Sequence, residues 1–124
     1  AEQMRRIIQL ALRQIREDPV VFQVFLHFTA AAPSVPELGD EIRSLWGTFR
    51  HITAEGIRAG QRDGSYRSEI DAEAAAAELL GGIVGLALQW MLDPGSFDLD
   101  QAGRGLEKHF MADLIAPTPA PGWD

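Results

Sequence analysis

The sequence predicts an all-α fold, an antiparallel bundle of about five helices joined by short connectors. Apolar residues recur at helical spacing along most of the 124 residues, and no stretch shows the alternation of a half-buried strand. Proline and glycine stand where each helical stretch ends. Hydrophobic residues make up 46% of the chain, which indicates a globular domain with its own core and not a disordered segment.

The first helix is predicted over residues 4–16, where the apolar residues share one face and the arginines lie mainly on the other. That apolar face is formed by Met4, Ile8, Ala11 and Ile15, with Ile7 and Leu12 beside it. The arginines could face DNA or another domain, but a solvated face is the usual explanation for such charges.

The second helix is predicted to begin at Asp18-Pro19, with aspartate as the N-cap and proline at the first helical position. Its sequence, VVFQVFLHFTAA, is apolar on almost every side. We therefore expect it to be buried between neighbouring helices. Pro33 ends it, because proline cannot continue the helical hydrogen-bond ladder.

The third helix is predicted to open with a capping box of the S-x-x-E form at Ser34–Glu37 and to run to about Arg62. Asp63-Gly64 then marks a turn, since glycine tolerates a positive φ. The apolar residues that repeat along this helix are Leu38, Ile42, Leu45, Phe49 and Ile52, with Trp46, Thr53 and Ile57 beside them.

The central helix is predicted between the cap Asp71 and the stop signal Asp93-Pro94, and it is the most apolar part of the chain. A helical wheel gives it one bulky flank, formed by Leu79, Ile83, Leu86 and Trp90, and one flank of small residues, formed by Ala74, Ala77, Gly81, Gly85 and Leu88. A helix that is apolar on two flanks needs a cover on both. The glycines predict either a tight internal helix crossing or a dimer interface, which the second apolar flank favours.

The last helix is predicted to begin at Asp98 as a cap, with Gln101 at the capping-box position, and to end before Pro117. One apolar stripe runs along it through Leu99, Ala102, Leu106, Phe110 and Leu114. Residues 116–124 form a proline-rich tail that we expect to be disordered or loosely docked. The domain is therefore predicted over residues 1–115.

Composition excludes several functional classes. The net charge of -7 argues against nucleic-acid binding by these residues, because that affinity comes mainly from Lys and Arg at phosphates. No cysteine is present, which excludes disulfides and thiolate sites and is compatible with a cytoplasmic location. No signal peptide opens the chain, and the apolar run over residues 79–88 is too short to span a membrane. We expect no membrane association.

No catalytic or metal site can be assembled from the sequence, so we expect no enzyme activity and no cofactor. His51 and Glu55 have the i, i+4 spacing of a metal pair, but a structural site normally needs three or four ligands. His27 is expected to be a half-buried core histidine or, alternatively, a polar anchor for a ligand. The large aromatic residues of the helices could form an ordinary core or line a cavity.

A series of motifs at the helix ends of the C-terminal half forms a recognisable pattern. The residues are Gly60, Gly64, Tyr66-Arg67, Asp71, Gly85-Leu86, Trp90, Asp93-Pro94 and Phe97-Asp98-Leu99. This series resembles the C-terminal half of TetR-type transcriptional regulators. The helix order matches that family from Met4 to Ile115, and the likeness is strongest from Gly60 onward.

The resemblance implies an effector-sensing and dimerising domain of a transcriptional repressor. The last two long helices would pair with those of a second copy in a four-helix bundle. A small, mostly apolar or aromatic effector would bind among the middle helices and shift a helix-turn-helix that reads operator DNA. That N-terminal helix-turn-helix is missing from this sequence, so any DNA contact would be made only through it. The positions implied for the ligand pocket are Phe25, Phe28, Trp46, Phe49, Thr53 and Trp90.

The helical wheel of the central helix and the family resemblance together predict a homodimer interface on the last two helices. Its residues are Ala77, Gly81, Gly85, Leu88, Leu106 and Phe110. An alternative from another class is a free-standing helical homodimer that serves as a protein–protein adaptor without a small ligand. A basic helix-turn-helix upstream in the gene would support the regulator over this adaptor.

Overall fold

The structure, a computed structural model, describes residues 1–115. These residues form α-helices and no strand, which confirms the predicted all-α class and the predicted number of helices. The helices are α1 (Glu2–Glu17), α2 (Pro19–Ala31), α3 (Pro36–Arg62), α4 (Ala72–Leu92) and α5 (Leu99–Ile115), with a short 3-10 turn at Ala32–Ser34. The predicted tail lies outside the described residues.

Helix α4 is the centre of the bundle and contacts α1, α3 and α5. Its buried face alternates small and branched side chains, with Ala76, Leu79, Ile83 and Ala87 all less than a twentieth exposed. Each buried Leu or Ile contributes about 1.5–3 kcal/mol, and the alanines allow neighbouring helices to come close. Asp71 caps the helix as predicted, because its Oδ1 accepts a hydrogen bond from the Ala74 N–H at 3.2 Å.

Helix α1 supplies a second layer of the core. Its buried residues Met4, Ile8, Leu12 and Ile15 follow the predicted helical spacing. On α5 the buried residues are Leu99, Gly103, Met111 and Leu114, and Asp98 caps this helix by accepting hydrogen bonds from the Asp100 and Gln101 N–H groups at 2.9 and 3.2 Å. The apolar face predicted for the first helix therefore builds the core. The stripe predicted for the last helix is only partly right, because Leu99 and Leu114 are buried whereas Ala102, Leu106 and Phe110 are half-buried.

Two glycines allow close approach between elements of the core. A Cβ at Gly60 would lie well inside van der Waals contact of the Tyr66 ring, and a Cβ at Gly103 would clash with Leu12. The Tyr66 ring is 6% exposed, and this burial raises the pKa of its hydroxyl because the phenolate would lose solvation. Gly60 therefore fixes the path of the turn after α3 as it passes back over that helix.

The turn between α3 and α4 is held by the polar side chain of Gln61. Its Nε2 donates to the carbonyl oxygens of Arg67 and Ile70 at 3.0 and 2.8 Å. Gly64 has φ of 86°, as the Asp-Gly signal predicted. On the surface, Arg58 donates to Glu55 at 2.7 Å and to Glu73 at 3.2 Å, which links α3 to α4 and lowers the pKa of Glu55 through the hydrogen bond from Arg58.

The predicted start of α3 is wrong. The helix begins at Pro36, with Val35 at its N-cap position and no side-chain cap. Ser34 instead belongs to the 3-10 turn, which is closed by a hydrogen bond from the Val35 N–H to the Ala32 carbonyl at 3.2 Å. That turn takes Ser34 out of capping geometry, so the S-x-x-E pattern forms no capping box.

The predicted burial of α2 on all sides is also wrong. This helix packs mainly on α1, α3 and the 3-10 turn, and none of its residues is fully buried. Val20 and Val21 are 64% and 62% exposed. Asp18 precedes Pro19 as predicted, but its carboxylate caps no N–H group of α2. Helix α2 thus lies at the edge of the bundle, because α4 and α5 pack on the other side of α1 and α3.

Replacing Gly60 with alanine is expected to destabilise the domain by about 1–3 kcal/mol, because the new Cβ overlaps the Tyr66 ring. The measurement is urea unfolding followed by circular dichroism. Gly47→Ala is the matched control: its Cβ would meet only the far end of Arg50 at 3.9 Å, so helix propensity should leave stability equal or up to about 1 kcal/mol higher. Equal free energies of unfolding for the two variants would contradict this account.

Candidate functional site: an apolar cavity and an open face of small residues

A cavity of about 510 Å³ lies between α1, α2, α3 and α4. Its wall is almost entirely apolar, and each of the four helices contributes to it. The apolar lining residues are Ile7, Ala11 and Ile15 on α1, Val21, Phe22 and Phe25 on α2, Leu45, Trp46, Phe49 and Ile52 on α3, and Leu79, Leu80, Ile83 and Val84 on α4. A pocket of this size and character suits a small organic molecule.

One wall of the cavity is a cluster of aromatic rings. The centroid of Phe25 lies 5.3 Å from that of Trp46, 6.1 Å from that of Phe49 and 6.0 Å from that of Phe22. The Trp46 Nε1–H donates to the Thr29 hydroxyl at 3.2 Å, and that hydroxyl donates to the Phe25 carbonyl oxygen at 2.9 Å. These bonds fix the indole and satisfy its N–H, so Trp46 offers a ligand an apolar ring and no donor.

Few polar groups reach the cavity. Thr53 is 3% exposed and lines it, and its hydroxyl makes no side-chain hydrogen bond to residues 1–115. It is therefore available to a ligand. Gln14 and Asp18 also lie on the wall, and both are exposed to solvent.

The mouth of the cavity is formed by α1, α2 and α3. The lining residues of α2 and α3 include exposed ones, with Val21 62% and Ile52 54% exposed. The lining residues of α4 are different: Leu79 and Ile83 are buried and Leu80 and Val84 half-buried. Helix α4 is therefore the floor of the cavity.

The structure brings together most of the residues that the resemblance implied for a ligand pocket. Phe25, Trp46, Phe49 and Thr53 all line the cavity. Phe28 does not: it is 44% exposed and lies beyond the aromatic cluster on α2. Trp90 packs against the core near the end of α4, also outside the cavity wall.

Sequence reasoning anticipated that the bulky flank of α4 faces the cavity, but it missed the contribution of α1 and two further residues of α4. Ile7 and Ala11 line the cavity from α1, and Leu80 and Val84 line it from α4. The signal was present in α1, where Ile7 is an apolar residue beside the main apolar face. The pattern within one helix shows that Ile7 is apolar but does not specify which neighbouring helix it meets. That depends on how the helices pack.

Helix α4 also carries an open face of small residues, on the side of the helix away from Leu79 and Ile83. Ala77 and Gly81 are exposed, Gly85 is half-buried and Leu88 is 44% exposed. A Cβ built on Gly81 or on Gly85 would meet no atom of residues 1–115 within 4 Å, so no close contact in that part of the chain explains these two glycines.

The remaining residues of the predicted dimer interface point into the bundle. Leu106 packs on Gly82, where an added Cβ would come 2.9 Å from the leucine Cδ1. Phe110 is half-buried against the core. Gly82 therefore provides the tight internal crossing of α4 and α5, whereas on α5 it is Gly105 that faces open space.

The other candidate residues do not form a site. His27 and His51 are both exposed, and Glu55 is engaged by Arg58. No group of three His, Asp or Glu side chains in residues 1–115 could hold a metal ion. Among the described helices, α4 with its 21 residues is long and apolar enough to cross a membrane by length and composition, a criterion that the core helix of a soluble bundle also meets.

Comparison with known proteins identifies the family. Residues 1–115 match the model of the BetI-type transcriptional repressor C-terminal domain, a TetR-type family. The match covers all five helices, the cavity and the open face of α4. No curated protein and no solved structure matches the chain. The family consists of transcriptional regulators and is not an enzyme family. The chain belongs to the C-terminal regulatory domains of TetR-type transcriptional repressors.

Proposed function

We propose that this domain is the effector-sensing and dimerising part of a cytoplasmic TetR-like repressor. In this proposal a small, mostly apolar ligand binds in the cavity, and the repressor then releases operator DNA through a helix-turn-helix N-terminal to these residues. The observation that carries the proposal is the apolar cavity of about 510 Å³ inside a domain of this family.

The lining of the cavity supports an apolar or aromatic effector. A ligand there would bury its surface against Phe25, Trp46 and Phe49, and burial of apolar area drives binding at roughly 25 cal/mol per Å² before the costs of association. Thr53 can supply one oriented hydrogen bond at the cavity wall. With so few polar partners, a strongly polar ligand would lose more solvation than the wall could replace.

The arrangement of α4 suggests how occupancy could be transmitted. One side of α4 forms the floor of the cavity through Leu79 and Ile83, and the opposite side carries Ala77 and Gly81. Because the helix is rigid, a rotation that fits a ligand on one side also moves the other. A ligand can shift such an equilibrium only by its differential affinity for the two arrangements.

We assign the homodimer interface to the open face of α4 and the adjoining surface of α5. The glycine positions leave room for a second helix to approach closely, and Leu88 and Leu92 are 44% and 79% exposed in the single chain. Burying these leucines against a second copy removes apolar surface from water. Leu106 and Phe110 would support this interface from beneath, since they hold α5 against α4.

Membership of a family of repressor regulatory domains favours this function over a protein–protein adaptor. The full reading frame distinguishes the two: a basic helix-turn-helix upstream of Ala1 is expected for the repressor. A reading frame without it would favour the adaptor.

A neutral fluorescent probe, N-phenyl-1-naphthylamine, is expected to bind the cavity with one site per chain. Ala11→Trp should fill part of the space and weaken probe binding about tenfold or more, with helicity retained. The measurement is fluorescence titration. Ala30→Trp on the exposed surface of α2 is the matched control and should bind the probe as the wild type does. Equal affinity of the two variants would exclude the cavity as the binding site.

Gly81→Arg is expected to yield a folded monomer. A Cβ at this position meets no atom of residues 1–115 within 4 Å, so the described fold has room for it, while a charged side chain opposes close approach of a second helix. Sedimentation velocity at several protein concentrations measures the oligomeric state, and circular dichroism measures folding. Ala59→Arg, an equally exposed position on α3, should remain dimeric. A Gly81→Arg protein that is dimeric would rule out this interface.

A further inference from the structure

A second concave site lies on the other side of α1, in a groove between α1 and α5 with a volume of about 540 Å³. We call it the arginine groove, because Arg6, Arg13 and Arg16 of α1 and Arg104 of α5 surround it. Arg6 and Arg13 are seven residues apart, which places them on the same side of the helix two turns apart. The apolar cavity contacts α1 elsewhere, at Ile7 and Ala11.

The floor of the groove is formed where α1 and α5 pack closely. Leu12 of α1 lies where a side chain at Gly103 would clash, so this glycine lets α1 and α5 approach. The helices run antiparallel here, since Arg16 pairs with Asp100 and Gln9 bonds Glu107 further along. The packing of Leu12 on Gly103 therefore brings arginines from two separate helices to the rims of one groove.

The carboxylates of the groove already have partners. Asp100 is paired with Arg16. Glu107, whose side chain is 13% exposed, accepts hydrogen bonds from Gln9 Nε2 at 3.2 and 3.4 Å and lies 4.0 Å from Arg5 Nε. The groove is lined by four arginines and by these two carboxylates, so positive charge remains in excess there.

The guanidinium groups are in excess. Arg6 and Arg104 have no carboxylate within 4.0 Å among residues 1–115, and Arg13 lies only 3.6 Å from Glu17 in a solvent-exposed pair. Such an exposed pair contributes little. A chain with a net charge of -7 therefore gathers unneutralised positive charge in one concavity, where like charges oppose each other until an anion joins them.

We propose that the arginine groove binds a small multivalent oxyanion, a molecule that carries several phosphate or carboxylate groups. Guanidinium groups form paired, charge-assisted hydrogen bonds to both kinds of group. An anion held by Arg6, Arg13 and Arg104 would bridge α1 to α5. This site is separate from the apolar cavity and does not depend on the proposed function of that cavity.

The test is calorimetric titration of the 124-residue chain with sodium triphosphate and with citrate, with ionic strength held constant by sodium chloride. Saturable binding of at least one of these anions is expected. Arg104→Gln should weaken it about tenfold, the effect of one charge-assisted hydrogen bond. Arg62→Gln removes the same charge from an exposed position on α3 outside the groove, and it should bind as the wild type does. Tighter binding of triphosphate than of citrate would identify phosphate as the preferred group.

Three outcomes would overturn the proposal. Absence of saturable binding by either anion at constant ionic strength would mean that the arginines are only solvated. Equal weakening of anion binding in Arg62→Gln and Arg104→Gln would show that binding depends on net charge and not on the groove. Binding of a short DNA duplex without binding of triphosphate or citrate would assign the groove to a nucleic acid. Circular dichroism of each variant confirms that loss of binding is not loss of fold.

Discussion

The arrangement of this domain depends on close packing around α4. Small side chains on its buried face, Ala76 and Ala87 among them, let α1, α3 and α5 approach one helix together. Gly82 extends the same principle to the crossing with α5, where Leu106 occupies the space that a Cβ would fill. The large aromatic side chains Phe25, Trp46 and Phe49 lie on the surrounding helices α2 and α3, and the open face lies on the side of α4 away from Leu79 and Ile83.

The cavity follows from where those large side chains lie. Phe25, Trp46 and Phe49 form a wall at the edge of the bundle, and the hydrogen bond from Trp46 to Thr29 fixes α3 against α2 there. Helix α2 packs mainly on α1 and α3 at the edge of the bundle, and the wall residues Val21 and Ile52 are 62% and 54% exposed, so the cavity is open on that side. A domain that leaves apolar surface exposed at the mouth of a cavity gains stability when a ligand covers it.

Helix α1 connects the two concave sites. One side contributes Ile7 and Ala11 to the apolar cavity, while Arg6 and Arg13 border the groove shared with α5. Its buried residues, Met4 and Ile8, attach it firmly to the core. A ligand at either site would therefore act on the same helix. Binding at one site would change the affinity of the other only if both ligands shift the equilibrium between positions of α1.

Helical periodicity and caps such as Asp71 are local signals, so the helices, their order and the core face of α1 could be predicted from the sequence. The sequence also drew attention to Phe25, Trp46, Phe49 and Thr53 through the family resemblance. Only the tertiary structure decided that Gly82 faces α5 while Gly81 faces open space, since adjacent residues on one helix differ by 100° in direction. It also decided that Ser34 enters a 3-10 turn, that α2 lies at the edge, and that Phe28 and Trp90 lie outside the cavity. These depend on which helices meet, and helix pairing is a property of the whole chain.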